Sequence, residues 1–444
     1  MPTSVPVPPI PAHPLMIFLL QIGVLLLVAI LLGRVAKRFG MPAVVGELCT
    51  GVLLGPSVLS HAWPELASGL FPPDPAQFHL LDAVGQVGVL LLVGITGLHL
   101  DFGLVRRHGG RSAAISFFGL VIPLGLGIGT GLLLPPSLAA GGSDPVVFAL
   151  FLGVAMCVSA IPVIAKTLFD MNFMHRDIGQ LTLAAGMVDD AFGWFMLSIV
   201  SAMATSGLRT GSVVASLAVM GAVIVFAIVV GRPLSRGIYR VAGRTPELPI
   251  PVTVTLILLA AAGTHALGLE AIFGAFLCGI LISEYGKPDP AALAPLRTVV
   301  LGVFAPIFFA TAGLRMDLTA LTRLDVLGLA LLVLAIAIVG KFAGAYLGAR
   351  LSRMGHWEGL ALGAAMNARG VIEVIVAMAG LRLGVLTAET YTIIVLVAVI
   401  TSLMAPPLLR VAMARVEHNA LEQVRLAGSA PLKTSGKQPT RSGI

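Results

Sequence analysis

Apolar stretches of about twenty residues recur along the whole 444-residue chain, and they limit its possible folds more than any other feature. A helix of that length crosses the hydrocarbon core of a bilayer. Only 11% of the residues are charged and the mean hydropathy is +1.00, whereas a soluble domain carries about 25% charged residues. Backbone groups in lipid must be satisfied within their own segment. The sequence therefore predicts an all-α polytopic membrane protein.

The apolar stretches define about 13 transmembrane spans when Gly and Pro interruptions are allowed. They cover approximately 15–33, 41–57, 79–98, 112–134, 146–168, 177–203, 211–231, 248–268, 269–284, 299–314, 325–349, 357–381 and 388–409. Residues 1–14 are predicted to be an extracytoplasmic segment. Residues 410–444 turn polar and are predicted to be a disordered cytoplasmic tail.

The placement of the 28 Lys and Arg residues predicts the orientation of these spans. With the N-terminus outside, the inner loops and the tail hold 22 of them and the outer loops hold 4, at Arg209, Arg315, Arg323 and Arg382. Lys341 and Arg369 lie inside spans. An excess of basic residues marks the cytoplasmic side. We therefore expect the N-terminus outside and the C-terminus inside.

The sequence contains an internal repeat. FGAFLCGIL at 273–281 echoes VGELCTGVL at 45–53, AGLRMD at 312–317 echoes TGLHLD at 96–101, and LGAAM at 362–366 echoes LGVAM at 152–156. The three matches occur in the same order and pair spans two to six with spans nine to thirteen. Under the predicted topology the two five-helix units have opposite orientations. Inverted repeats of this kind are typical of secondary transporters, whose ion site lies near the midplane.

Two spans carry helix-breaking or polar residues at corresponding places in the repeats. Span five contains Ser159, Ala160 and Pro162, and span twelve contains Asn367, Arg369 and Gly370. Interrupted helices at matching positions indicate a transporter's binding site. The alternative is a pair of ordinary kinks, which proline often makes in membrane helices.

Asp189 and Asp190 lie in the middle of span six. One charged side chain at mid-membrane costs roughly 2.5–3.5 kcal/mol, so such residues are functional candidates. Adjacent residues on a helix point about 100° apart, so the two carboxylates cannot face one pocket equally. Asp190 shares a face with Gly186 and Gly193 and is predicted to face the crossing of the broken helices. Asp189 is predicted to face a different neighbour.

Lys341 in span eleven is the natural counter-ion for a buried carboxylate. A carboxylate that binds either a proton or a monovalent cation suffices for exchange, and Asp190 is the candidate. Arg369 and Glu373 lie four residues apart beside the break in span twelve, where they either support transport or merely neutralise helix ends and each other. Glu47 in span two is a further buried acid.

Four segments resemble the monovalent cation:proton antiporters, in their second subfamily. VGELCTGVLLGP at 45–56 is similar to the opening motif, and SAIPVIAK at 159–166 is similar to the crossing segment. NARGVIEVIV at 367–376 resembles the version found in the plant cation/H+ exchanger branch. VDD at 188–190 matches the Asp-Asp signature.

This resemblance implies a homodimer that moves a six-helix core against a dimerisation domain in an elevator-like step. The dimerisation helices would be about 15–98 and 248–314, the linker helix about 211–231, and the core helices about 112–203 and 325–409. Asp190 would bind the monovalent cation, and Asp189 would pair with Lys341. In the family, Asp-Asp with a lysine accompanies electrogenic exchange, whereas the plant branch is often tied to potassium. The choice of Na+ or K+ and the stoichiometry therefore stay open.

The sequence thus predicts a Na+ or K+/H+ antiporter of the cell membrane, most consistent with a prokaryotic inner membrane, and not an enzyme. We expect no cofactor, no nucleic-acid partner and no nucleotide-binding regulatory domain. An organic-anion symporter with inverted repeats is the first alternative, but it has less need of an Asp-Asp-Lys set. An intramembrane aspartyl protease is the second, but its two carboxylates must face each other from different helices. A channel is the third, although no filter-like motif is recognisable.

Overall fold

The computed structural model describes residues 9–100, 102–135, 138–206, 210–243, 245, 247–417 and 422. These residues form nineteen α-helices and no β-strand beyond an isolated bridge between Ala139 and Leu386. The first ten helices are α1 (Ala12–Arg38), α2 (Ala43–Leu54), α3 (Leu59–Ala62), α4 (Pro64–Leu70), α5 (Pro75–Leu98), α6 (Phe102–Leu133), α7 (Pro145–Cys157), α8 (Ile161–Asp170), α9 (Asp177–Ser206) and α10 (Thr210–Phe226). The remaining nine are α11 (Arg232–Ala242), α12 (Pro249–Ala266), α13 (Ala271–Leu281), α14 (Pro290–Val299), α15 (Ala305–Gly313), α16 (Leu324–Leu351), α17 (His356–Met366), α18 (Val371–Arg382) and α19 (Ala388–Met413).

Ten of the helical segments in the described part of the chain are long and apolar enough to cross a membrane. The bent pair of α17 and α18 makes an eleventh candidate, with an angle of 43° at the break. The predicted fifth and ninth spans coincide with shorter apolar helices, Pro145–Cys157 and Ala271–Gly286. The all-helical membrane class is confirmed, whereas the count of thirteen stays a prediction.

Several helix ends differ from the predicted ones. The tenth span begins at Pro290 rather than 299, because a π-helical turn at Val300–Phe304 joins α14 to α15 without a break. The linker helix continues from α10 through α11 to Ala242 rather than ending near 231. The prediction stopped at Arg232 because it followed only apolar residues, whereas α11 is amphipathic and buries Ser235 and Tyr239. Most of the predicted tail, residues 410–444, and of the N-terminal segment, residues 1–14, lies outside the described residues.

Glycines bring the two repeat units into reciprocal contact. In α2, a Cβ added to Gly51 would lie 2.0 Å from the carbonyl oxygen of Ala310 and 2.5 Å from the carbonyl carbon of Gly313. In α13, a Cβ added to Gly279 would lie 2.1 Å from the carbonyl oxygen of Gly94. Gly51 and Gly279 occupy equivalent positions in the two repeats of the sequence. Helix backbones can approach this closely only where small residues line the contact.

The central helices surround two pairs that are broken in the middle. Helix α7 ends at Cys157 and α8 begins at Ile161, while α17 ends at Met366 and α18 begins at Val371. Helices α6, α9, α16 and α19 pack around these pairs. The two short connections, 158–160 and 367–370, are the irregular backbone at the centre of this bundle.

We expect Gly51→Ala to lower the free energy of unfolding by about 1–3 kcal/mol, because the added methyl group overlaps the α15 backbone. The thermal midpoint in detergent measures this change. Gly129→Ala in α6 is the matched control, since no atom lies within 4 Å of its added Cβ. Equal midpoints for the two variants would contradict the close packing of α2 on α15.

Candidate functional site: the crossing of the broken helices

The two interrupted segments meet through their backbones. The N–H of Ala160 donates to the carbonyl oxygen of Ala368 at 3.1 Å. Gly370 has φ +157°, and a Cβ there would lie 3.0 Å from Cγ2 of Val163. Both the backbone conformation and the close approach favour glycine at this position. The predicted breaks at Ser159–Ala160 and Asn367–Gly370 are therefore in contact, one on each segment.

Two buried cations cap the carbonyl end of α7. The last carbonyls of a helix have no partner within the helix and carry partial negative charge. Lys341 Nζ donates to the carbonyl oxygen of Cys157 at 2.5 Å, and Arg369 Nη1 donates to that of Ala155 at 3.2 Å. Arg369 Nη2 also donates to the carbonyl oxygen of Ala337 in α16 at 2.9 Å. These cations replace the partners that a continuous helix would supply.

Asp189 is fully buried and its carboxylate has three partners. Lys341 Nζ lies 2.5 Å from Oδ2, the Ser159 hydroxyl lies 2.9 Å from Oδ2, and the Ser116 hydroxyl lies 2.7 Å from Oδ1. Lys341 makes one more bond, to the carbonyl oxygen of Gly119 at 3.0 Å. The ion pair thus joins α9 to α16, α6 and the first break.

The Ser159 hydroxyl also lies 2.8 Å from the carbonyl oxygen of Met366, the last residue of α17. A hydroxyl carries a single hydrogen, so Ser159 donates to Asp189 or to Met366 at any moment. This side chain therefore connects the ion pair to the end of the second broken helix.

Asp190 has a different environment, although it is also fully buried. No side chain in the described part of the chain donates a hydrogen bond to either of its oxygens, and the backbone N–H of Ile161, the first residue of α8, is the polar group that faces it. Its helix face meets the crossing: a Cβ on Gly193 would lie 2.6 Å from Cγ1 of Val158, and one on Gly186 would lie 3.2 Å from Cγ1 of Ile161. Buried carboxylates are normally paired or hydrogen-bonded. Asp190 therefore has capacity to bind a proton or a cation.

Two further predicted residues lie at the break with unused polar atoms. Asn367 is fully buried and neither amide atom has a partner within the described part of the chain. Glu373 Oε1 accepts from Arg369 Nη1 at 3.3 Å, while Glu373 Oε2 has no partner among those residues. The Arg369–Glu373 pair is thus looser than the Lys341–Asp189 pair.

Glu47 does not belong to this cluster. It is a buried residue of α2, which packs on α1 and α15 rather than on the broken helices. The side chain of Pro162 lies outside what the structure describes, and its backbone is the second residue of α8. The break in the first pair precedes the proline, at 158–160.

Sequence reasoning missed two serines. Ser116 in α6 donates to Asp189, and Ser402 in α19 donates to the carbonyl oxygen of Arg369. A search for isolated hydroxyl residues on otherwise apolar helices would have included both, but serines commonly bond their own helix backbone. Among the described residues, no group of three or more His, Cys, Asp or Glu side chains could hold a metal ion.

We expect Lys341→Gln to lower the free energy of unfolding by about 3–5 kcal/mol, because removing one partner leaves Asp189 charged and buried. The thermal midpoint in detergent is the measurement. Arg323→Gln is the matched control, since Arg323 pairs with Asp325 at a surface where both side chains are more than 60% exposed. Surface pairs contribute little, so this control should melt with the parent. A Lys341→Gln variant as stable as the control would show that the pair does not hold the helices together.

The chain is similar to known proteins over most of its length. The family model described as sodium/hydrogen exchanger, transmembrane, matches residues 23–414. Cation/H(+) antiporter 17 of Arabidopsis thaliana is 33% identical over 405 residues, which cover 89% of this chain and 48% of the relative. The chain thus spans about half the length of this and other plant relatives that it matches.

Two bacterial relatives are similar over nearly their whole length. The Na(+)/H(+) antiporter NhaS4 of Synechocystis sp. is 31% identical, with 89% of this chain and 96% of the relative covered. The Na(+)/H(+)-K(+) antiporter GerN of Bacillus cereus is 28% identical, with 88% and 95% covered.

Among solved structures, the sodium proton antiporter MjNhaP1 of Methanocaldococcus jannaschii matches with a TM-score of 0.64. The match covers 90% of this chain and 99% of that one at 14% identity, so it shows a shared fold. Together with the family model and the bacterial relatives, it means that this chain belongs to the transmembrane sodium/hydrogen exchanger family, a family of transporters.

Proposed function

We propose that this protein is a secondary active antiporter that exchanges Na+ or K+ for H+, with the two ions competing for Asp190. The observation that carries the proposal is a fully buried carboxylate that has no side-chain hydrogen-bond or ion-pair partner in the described part of the chain and faces the crossing of two broken helices. A proton or a monovalent cation can each neutralise that carboxylate, and only one can do so at a time. The relatives' names include Na(+)/H(+), K(+)/H(+) and Na(+)/H(+)-K(+) antiporters.

The crossing also offers further oxygen ligands for an alkali cation. Unwound backbone carbonyls and half-helix C-terminal ends coordinate Na+ in other transporters with broken helices. Here the unpartnered amide oxygen of Asn367 is available at the break, whereas the carbonyl oxygens of Ala368, Arg369 and Gly370 already accept one hydrogen bond each. The cation is the transported substrate, so its site must exchange ions readily rather than hold one permanently.

We further propose alternating access by movement of a core against a dimerisation domain within a homodimer. The proposed dimerisation helices lie in 15–98 and 248–314, and the proposed core helices lie in 112–203 and 325–409. The boundary between them includes the ion pair of Arg382 with Glu270 at 2.8 Å and a bond from Tyr391 to the carbonyl oxygen of Ala312 at 2.7 Å. A third bond, from the N–H of Glu270 to the Ser198 hydroxyl at 3.3 Å, crosses the same boundary, and so few polar contacts between the described residues are compatible with sliding.

We also propose a topology of thirteen spans arranged as two inverted repeats. The N-terminus would lie outside the cell membrane. The reciprocal contacts of Gly51 and Gly279 support the repeat, because each joins the opening helix of one unit to the other unit. The 22 to 4 distribution of basic residues supports the orientation.

The alternative functions have less support. An aspartyl protease needs two carboxylates that share a proton across an active site, whereas Asp189 pairs with Lys341 and Asp190 points elsewhere on the same helix. No observation favours an organic-anion symporter, and the relatives' names describe cation exchange.

We expect Asp190→Asn to abolish cation-dependent proton movement in proteoliposomes, because the amide cannot bind a proton or neutralise a cation. An imposed pH gradient followed with a pH dye should collapse in the parent when Na+, K+ or Li+ is added. Asp74→Asn is the matched control, since Asp74 caps α5 at the surface and asparagine caps helices equally well. Undiminished exchange by Asp190→Asn would refute the proposed role.

Single cysteines test the orientation. Ser68→Cys, on the exposed face of α4, should react in intact cells with a membrane-impermeant maleimide. Ala291→Cys, exposed near the start of α14, should react only after the membrane is permeabilised. The reverse pattern would mean that the predicted topology is inverted.

A further inference from the structure

Nine Asp, Glu, Lys and Arg side chains in the described part of the chain are buried, and five of them surround the crossing. These five are Asp189, Asp190, Lys341, Arg369 and Glu373, each at most 1% exposed. Three are acids and two are bases. With all five ionised, the cluster has a net charge of −1.

Both bases keep their charge because of the bonds they make. Lys341 donates to three acceptors, the Asp189 carboxylate and the carbonyl oxygens of Gly119 and Cys157. An ammonium has three N–H groups and a neutral amine has only two, so loss of the proton would leave one acceptor unsatisfied. Arg369 is charged in every protein environment. The two positive charges are therefore part of the structure.

Each base has one acid as its nearest charge. Asp189 contacts Lys341 at 2.5 Å, and Glu373 contacts Arg369 at 3.3 Å. Among the side chains that the structure describes, the packed neighbours add no further charge at this depth: α6 contributes Ser116, α7 contributes Cys157 and α19 contributes Ser402. Asp190 is the one acid of the five without a basic partner among the described residues. The uncompensated charge of the cluster is thus that of Asp190.

We propose that Glu373 offsets the charge of Arg369 and so leaves the crossing with a net charge of −1, so that one proton or one monovalent cation binds and exchange is one-for-one and electroneutral. This inference rests on the proposed antiport function and adds its stoichiometry. The proton-bound and cation-bound clusters are both neutral. A second proton or cation would leave a net positive charge away from water, which is strongly unfavourable. Glu373 and Arg369 act here as positioning residues for the charge balance and need not touch the ion.

The proposed one-for-one exchange differs from the electrogenic exchange that the Asp-Asp signature with a lysine implies. Electrogenic exchange with two protons requires a second group that gains and loses a proton in the cycle. Lys341 uses all three N–H groups of its ammonium in hydrogen bonds, so we do not assign it that role.

The stoichiometry follows from a null-point measurement on the parent protein. Proteoliposomes carry a fixed pH difference, and thiocyanate at equal concentration on both sides removes the membrane potential. The Na+ ratio at which no net proton flux occurs should be about tenfold for each pH unit if exchange is one-for-one. A ratio of about a hundredfold would mean two protons per cation and would overturn the inference while leaving antiport intact. No exchange with any alkali cation would overturn both.

Two variants test the roles of Arg369 and Glu373. Glu373→Gln makes the empty cluster neutral, so we expect the apparent KM for the cation to rise at least about tenfold. The double variant Arg369→Gln/Glu373→Gln restores the charge of −1. The double variant should recover much of the affinity for the cation. Its net proton flux should again be zero at a Na+ ratio of about tenfold for each pH unit, as in the parent. A double variant that binds the cation as weakly as Glu373→Gln, with the parent's thermal midpoint, would contradict the charge-balance role.

Discussion

The structure depends on how two helices can end in the middle of a membrane protein. Each break frees backbone carbonyls that no water is at hand to satisfy. Lys341 and Arg369 provide the donors at the end of α7, and Ser159 provides one at the end of α17. Because these two cations are needed for the backbone, acids must accompany them. Asp189 and Glu373 do so, and the ion pairs in turn fix α9, α16 and α18 around the crossing.

This arrangement separates the roles of two adjacent aspartates. The step of about 100° between neighbouring helix residues turns Asp189 toward α16 and Asp190 toward the breaks. Asp189 is held by Lys341 and Ser116, and by Ser159 when that hydroxyl does not donate to Met366, so it belongs to the scaffold of the site. Asp190 has no such partners in the described part of the chain. The same irregular backbone that requires the cations thus leaves one carboxylate for a transported ion.

Particular residues mark the limits of sequence reasoning. Lys341 was identifiable as the partner of Asp189, because so few charged residues occur inside apolar spans. Ser116 was not identifiable, since one serine on an apolar helix gives no sign of a contact 73 positions along the chain. Glu47 was grouped with the site on charge alone, yet α2 packs on α1 and α15. The fifth span consists of two shorter helices, α7 and α8, separated at the break that the sequence predicts, whereas the ninth span has its predicted length and begins two residues later.

The sequence by itself determined the membrane class and the position of the breaks, because hydrophobic length and helix-breaking residues act locally. It also determined that Asp189 and Asp190 diverge, since that follows from the helical repeat. Only the tertiary structure decided which carbonyls the cations cap and how Ser159 joins the two breaks. Those contacts join residues 30 to 222 positions apart, and no local pattern encodes such distances. The −1 charge of the crossing is therefore a property of the packed helices.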